Sequence, residues 1–150
     1  MLCHSCRLEV LPGAMLSQQL LISIFRPRSL VLVGPSRTGK TTWARSLGGH
    51  FFFGGNFDMG QLSYDCDDVK YAIFDDMPGL KYFPTWKFWL GAQETFTVTD
   101  KYKGKMCFDW GRPVIWCNNR DPREDPDADI DWLEANCIFV TVPSDYPLIK

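Results

Sequence analysis

The chain has 150 residues, 45% of them hydrophobic and 23% charged, and a net charge of −2. That length suits one domain with a sizeable core, and the composition excludes intrinsic disorder. No apolar run approaches the roughly 20 residues that span a bilayer, and the small net charge excludes nucleic-acid binding by bulk charge alone.

Residues 1–25 read as a leader of unknown role, broken by Pro12-Gly13 and carrying no recognisable chemistry. Cys3-His4-Ser5-Cys6 is a C-x-x-C pair, but a four-ligand zinc site needs a second pair and none follows. The six cysteines are scattered without a disulfide framework, which points to a reducing, intracellular setting.

From residue 26 the chain alternates regularly. Residues 29–33 (SLVLV) are continuously apolar, as expected of a strand buried on both faces. A Gly- and Pro-bearing loop follows at 34–39, then a short helix at 40–47 stopped by Gly48-Gly49. Residues 51–53 and 69–74 (VKYAIF) predict two further strands, the second closed by Asp75-Asp76. Residues 83–90 predict a helix with Pro84 near its first turn. Residues 95–99 and 105–110 flank a turn at 100–104 and predict a hairpin. Residues 113–117 (PVIWC) predict a buried strand, 129–136 a short helix, and 137–142 (CIFVTV) the last strand. Five apolar strands with helices or a hairpin between them make an α/β sheet protein.

Charge is unevenly spread. Residues 26–47 hold five basic side chains and no acid, residues 100–120 five basic against two acidic, and residues 121–134 seven acids against Arg123. This pattern points to an anionic ligand and a charged neighbour.

Gly34-Pro35-Ser36-Arg37-Thr38-Gly39-Lys40-Thr41, followed by Thr42, fits G-x-x-x-x-G-K-[ST] at every fixed position. The glycines let the backbone curl so that its N–H groups face a triphosphate, and the next helix aims its positive end there. Lys40 is expected to reach the β- and γ-phosphates and the Thr41 hydroxyl to bind Mg²⁺. A strand before the loop and a helix after it are the context this motif requires. Asp75 and Asp76 end a strand where open sheets present their ligand sites: Asp75 would hold Mg²⁺ through water, and Asp76 would orient or deprotonate the attacking water. Asn118, with Asn119 the alternative, ends the 113–117 strand and would hold the water or touch the γ-phosphate.

Taken in order, GPSRTGKTTWARSLG, YAIFDD, GAQETFTVTDKYKGK and PVIWCNN resemble the C-terminal ATPase/helicase part of the replication-associated (Rep) proteins of circular single-stranded DNA viruses. The resemblance covers residues 26–142 and is to the geminivirus and genomovirus group. It implies a superfamily 3 helicase: a P-loop NTPase domain over 26–150, an AAA+-like parallel sheet with helices on both faces and an inserted β-hairpin. It further implies ATP- and Mg²⁺-dependent 3′-to-5′ unwinding during rolling-circle replication in the host nucleus, as a hexameric ring or with full-length Rep.

By that resemblance, residues 34–41 match Walker A, Asp75 and Asp76 Walker B, Asn118 motif C, and residues 91–105 the B′ region, whose hairpin holds single-stranded DNA. Lys101, Lys103 and Lys105 alternate with Tyr102 among them; period-2 spacing would send the lysines to successive phosphates while the ring stacks a base. Arg120 or Arg123 would be the arginine finger offered to a neighbouring subunit, unless Arg123 pairs with Glu124 or Asp125. The family's endonuclease bears a His-hydrophobe-His motif; only His4 and His50 occur here, so nicking is not expected of this chain. Two other readings remain: a P-loop kinase for a small substrate, and a Rep fragment that binds nucleotide and DNA without productive hydrolysis.

Overall fold

The computed structural model describes residues 26–63 and 67–149; the leader, the Cys3/Cys6 pair and Cys66 lie outside them. Strands β1 (Ser29–Val33), β2 (His50–Gly54), β3 (Tyr71–Asp75), β6 (Val114–Asn118) and β7 (Cys137–Thr141) form a parallel sheet in the order β2-β3-β6-β1-β7. These are the five strands expected. Between β3 and β6, strands β4 (Thr95–Asp100) and β5 (Gly104–Asp109) pair antiparallel as a separate hairpin, with Phe96 opposite Phe108 and Thr99 opposite Lys105.

Alternation along each strand sends side chains to opposite faces. Leu30, Leu32, Ile73, Ile115 and Cys117 join one buried cluster with Trp43 and Ala44 of helix α1 (Lys40–Arg45). Val31, Phe53, Phe74, Val114 and Trp116 join the other, against helix α2 (Trp86–Leu90), helix α3 (Ile130–Asn136) and the inner face of the hairpin. Helices therefore cover both faces, as expected. Of the six tryptophans, Trp43 alone lies on the α1 side; the others belong to or pack on the second cluster.

That second face is an aromatic mass centred on Trp89, which is fully buried and 4.9–5.7 Å in centroid distance from Phe53, Phe74, Phe96, Phe108 and Trp110. It bonds the hairpin to the sheet, and Trp89→Ala would cost about 3–5 kcal/mol. Ser29, buried in β1, donates to Leu90 O (2.8 Å) and accepts from Val114 N (2.9 Å), so its hydroxyl ties α2, β1 and β6 together without an unmet polar group.

Some boundaries differ from expectation. The helix foreseen at 83–90 begins only at Trp86. Phe83, at φ −130 and ψ 76, is not helical, because a residue before proline is pushed out of the helical region; a 3₁₀ turn, Leu80–Tyr82, precedes it. Val69 and Lys70 precede rather than join β3. The basic run 26–47 is not one surface, since Arg26 bonds Gln93 and Asn136, and Arg28 the carbonyls of Glu134 and Cys137. No described helix is long and apolar enough to cross a membrane.

Candidate functional site

The 34–42 segment leaves the carboxyl end of β1, with the ends of β6 and β3 beside it in the sheet. Two glycines shape it. A Cβ on Gly34 would lie 2.2 Å from Val142 O, so only glycine lets the loop pass the end of β7. Gly39 sits at φ +80, immediately before α1, a conformation costly for other residues. Arg37 also adopts positive φ (64°). On the outer side, Leu148 N donates to Thr38 O (2.9 Å), so the segment after β7 backs the loop.

A cleft of about 270 Å³ opens there, lined by residues 36–42, Asp75, Asp76, Cys117, Asn118 and Asn119. The structure thus brings together nearly all the loop residues and both acids singled out from sequence. Lys40 is buried: its Nζ donates to Gly34 O (2.8 Å) and Pro35 O (2.7 Å), with Thr38 Oγ1 at 3.3 Å. Burial pushes its ammonium below the ordinary lysine value, while Asp75 nearby acts in the opposite sense. Thr41 Oγ1 donates to Asp75 Oδ2 at 3.0 Å. Asp76, with φ 51, turns out of β3, and its N–H bonds Cys117 O on β6. Burial and Asp75 push the Cys117 thiol up to about 12, so it is a neutral wall of the cleft.

Asn118 donates from Nδ2 to Met77 O (3.4 Å) and accepts from Asn119 N (2.8 Å). Asn119 is the residue that reaches the loop: its Nδ2 donates to Ser36 Oγ (3.1 Å), and its Oδ1 lies 3.5 Å from Lys40 Nζ. Both open alternatives are therefore in the cleft, doing different things.

Arg120 and Arg123 line no part of it. Arg123 is held within the chain: Nε and Nη2 grip the Asp121 carboxylate at 3.1 and 2.7 Å, Nη1 reaches Glu134 (3.3 Å), and the guanidinium lies 4.0 Å over the Phe139 ring. Its partners are thus Asp121 and Glu134 rather than Glu124 or Asp125, since the 3₁₀ turn Pro122–Glu124 folds Arg123 back onto its own N-cap. Arg120 is exposed and makes no ion pair among the described residues.

At the hairpin, Lys101, Tyr102 and Lys103 form the turn and only Lys105 stands on a strand. The expected alternation of three lysines on one strand face does not hold, because side chains follow period 2 only where the backbone is extended. Lys103 instead sits 3.9 Å from Asp58, and Asp100 accepts from the amides of Met59 (3.0 Å) and Tyr102 (2.9 Å). Those amides hold Asp100 below its usual carboxylate value. The tip is thereby latched to the turn after β2.

Chemically, an ammonium, a hydroxyl and a carboxylate meeting in one cleft can hold a polyanion and a hard cation. No protein-family model matches the chain. The replication-associated protein of Tobacco yellow dwarf virus (strain Australia) is 45% identical over 118 residues, 73% of this chain and 32% of that protein. That of Maize streak virus genotype C (isolate Set) is 43% identical over 125 residues, 80% of this chain and 34% of its own length. That of Miscanthus streak virus (isolate 91) is 40% identical over 114 residues, covering 74% and 32%. The chain is a relative of the viral replication-associated proteins. It spans about a third of the length of the curated replication-associated proteins it matches.

Proposed function

We propose that this chain is the ATPase/helicase module of a rolling-circle replication initiator, binding ATP with Mg²⁺ at residues 34–42 and using its hydrolysis to move on single-stranded DNA. The observation that carries this reading is the meeting of Lys40, Thr41 and Asp75 beside Asn118 at the carboxyl ends of three adjacent parallel strands, where open α/β sheets take their ligands. The helices on both faces and the packed hairpin support a P-loop, AAA+-like arrangement.

Lys40 exchanges the carbonyls of Gly34 and Pro35 for phosphate oxygens. The Thr41 hydroxyl and Asp75 carboxylate, 3.0 Å apart, are hard oxygen donors. They suit Mg²⁺, which takes one or two carboxylates together with substrate phosphates. Bound there, the ion would neutralise charge developing on the phosphate oxygens. Asp76 orients the attacking water and takes its proton, with Asn118 fixing the water's position. Asn119 keeps Ser36 and Lys40 in register. Arg120, exposed and without an ion pair among the described residues, is the better placed to reach a neighbouring subunit's nucleotide as an arginine finger; Arg123 would first have to leave Asp121 and Glu134. Working as a hexameric ring, or with full-length Rep, in the host nucleus belongs to the same proposal and rests on the family resemblance.

The test is ATP turnover by the purified chain with and without single-stranded DNA, beside Lys40→Ala. DNA-stimulated turnover that the variant loses supports the motor. Nucleotide binding without turnover would replace it by the non-hydrolysing fragment, and turnover that answers to a small acceptor instead of DNA by the kinase.

A further inference from the structure

A second cleft, of about 800 Å³, opens between the hairpin tip, the 55–58 turn after β2 and residues 82–85 before α2. Its volume falls in the range of roughly 300–1,000 Å³ usual for ligand sites. Two of its lining rings stand in solvent, Tyr82 at 71% and Tyr102 at 86% exposure, and neither packs against another ring among the described residues. Each carries a lysine beside it: Lys81 Nζ is 5.9 Å from the Tyr82 centroid and Lys101 Nζ 5.6 Å from that of Tyr102. Those two lysines make no ion pair among the described residues. The cleft's own carboxylates are already engaged, Asp100 by the Met59 and Tyr102 amides and Asp58 by the Gly60 amide and Lys103.

We propose that this cleft receives the bases of a single-stranded nucleic acid, with Tyr82 as a stacking ring supplied from outside the hairpin. The inference rests on the reading of the chain as a module that works on DNA and adds to it a residue far from the lysine hairpin in sequence. Flat rings stack any base, and free ammonium groups beside them meet the phosphates, which is how single strands are held without sequence preference. An apolar protein segment would leave both lysines unmatched. The lining also includes Met77 and Pro78, which directly follow Asp76, and Asn118 holds Met77 O at 3.4 Å. A base in the cleft thus rests against the segment that carries the acidic pair.

The experiment measures fluorescence anisotropy of a labelled oligothymidylate of about ten nucleotides, within the ~4–16 that one fold covers, against an abasic strand of equal length. Wild type should bind the thymidylate more tightly. Tyr82→Ala should lose that margin, about five-fold or more for one stacked base, and Tyr82→Phe should keep it. The ring is exposed, so far-UV circular dichroism should not change. Equal thymidylate affinity of Tyr82→Ala and wild type overturns the proposal, and so does equal affinity of wild type for the two strands. Turnover of ATP by the same wild-type sample separates the two ideas: turnover without a base-dependent margin sinks the cleft alone, whereas a Tyr82-dependent margin without turnover sinks the ATPase reading alone.

Discussion

Thr41, second residue of α1, donates its hydroxyl to Asp75 at the end of β3 across 3.0 Å, joining two segments 34 positions apart in sequence. Both oxygens belong to the cleft, so the bond sets the spacing of its hard donors. Thr41→Val keeps the side chain's shape and deletes the hydroxyl. The apparent Mg²⁺ affinity, read by titrating the ion against ATP turnover, should fall by at least ~10-fold. An unchanged Mg²⁺ dependence would remove Thr41 from the metal site.

Lys40→Ala should abolish turnover while costing the fold about 1 kcal/mol, because the lysine serves two loop carbonyls and not the core. Burial lowers the ammonium's pKa, so the positive charge is lost at lower pH than in a free lysine. ATP affinity in wild type should therefore weaken as pH rises through that lowered value, and Lys40→Ala should lack this alkaline limb. Calorimetric titration with ATP across the alkaline range distinguishes the two.

The adjacent asparagines should separate kinetically. Asn119 holds Ser36 and approaches Lys40, so Asn119→Ala should raise KM for ATP several-fold, by the roughly 1 kcal/mol of a lost hydrogen bond. Asn118, which lines the cleft with Asp76 and bonds the carbonyl of Met77 next to it, should affect kcat instead. Steady-state kinetics on both variants decide, and identical profiles would refute the division.

Arg123 and Arg120 should differ in the same manner. Arg123→Ala removes its bonds to Asp121 and Glu134 and its contact with Phe139 and should cost about 1 kcal/mol in thermal unfolding. Burial raises the Asp121 pKa, but the Arg123 hydrogen bonds outweigh it and hold the carboxyl below its usual 3.8. A depressed carboxylate contributes fully above its unfolded pKa, and its contribution fades as pH falls through the folded one. Wild type and Arg123→Ala should therefore converge in stability only in strong acid. Arg120→Ala should leave the melting temperature unchanged and lower the turnover of assembled protein.

Lys101→Ala with Lys105→Ala should flatten the salt dependence of single-stranded DNA binding by about 0.7 in slope per phosphate contact removed. An unaltered slope would make both lysines ordinary solvated side chains.

Much of this was legible because it is written in adjacent residues. The apolar run at 30–33 had to be a strand covered on both faces, and the 34–41 spacing needed only its flanking strand and helix to be read. What escaped was decided by contacts between distant segments. In sequence Asn119 is only the alternative to Asn118, and the division between them rests on its approach to Lys40, 79 positions away. Tyr82 stands out only because the chain turns after Asp76 and brings it into the cleft that the hairpin tip also lines. The three lysines misled because their alternation spans a turn, where the strand's period of two does not apply.

The segregation of tryptophans has an optical consequence. Trp43 lies three positions past Lys40 and is divided by the whole sheet from the other five indoles, which crowd around or beside Trp89. The emission that wild type has and Trp43→Phe lacks therefore originates on α1, so that difference spectrum is a built-in reporter of what happens at the loop, separable from the glow of the aromatic core.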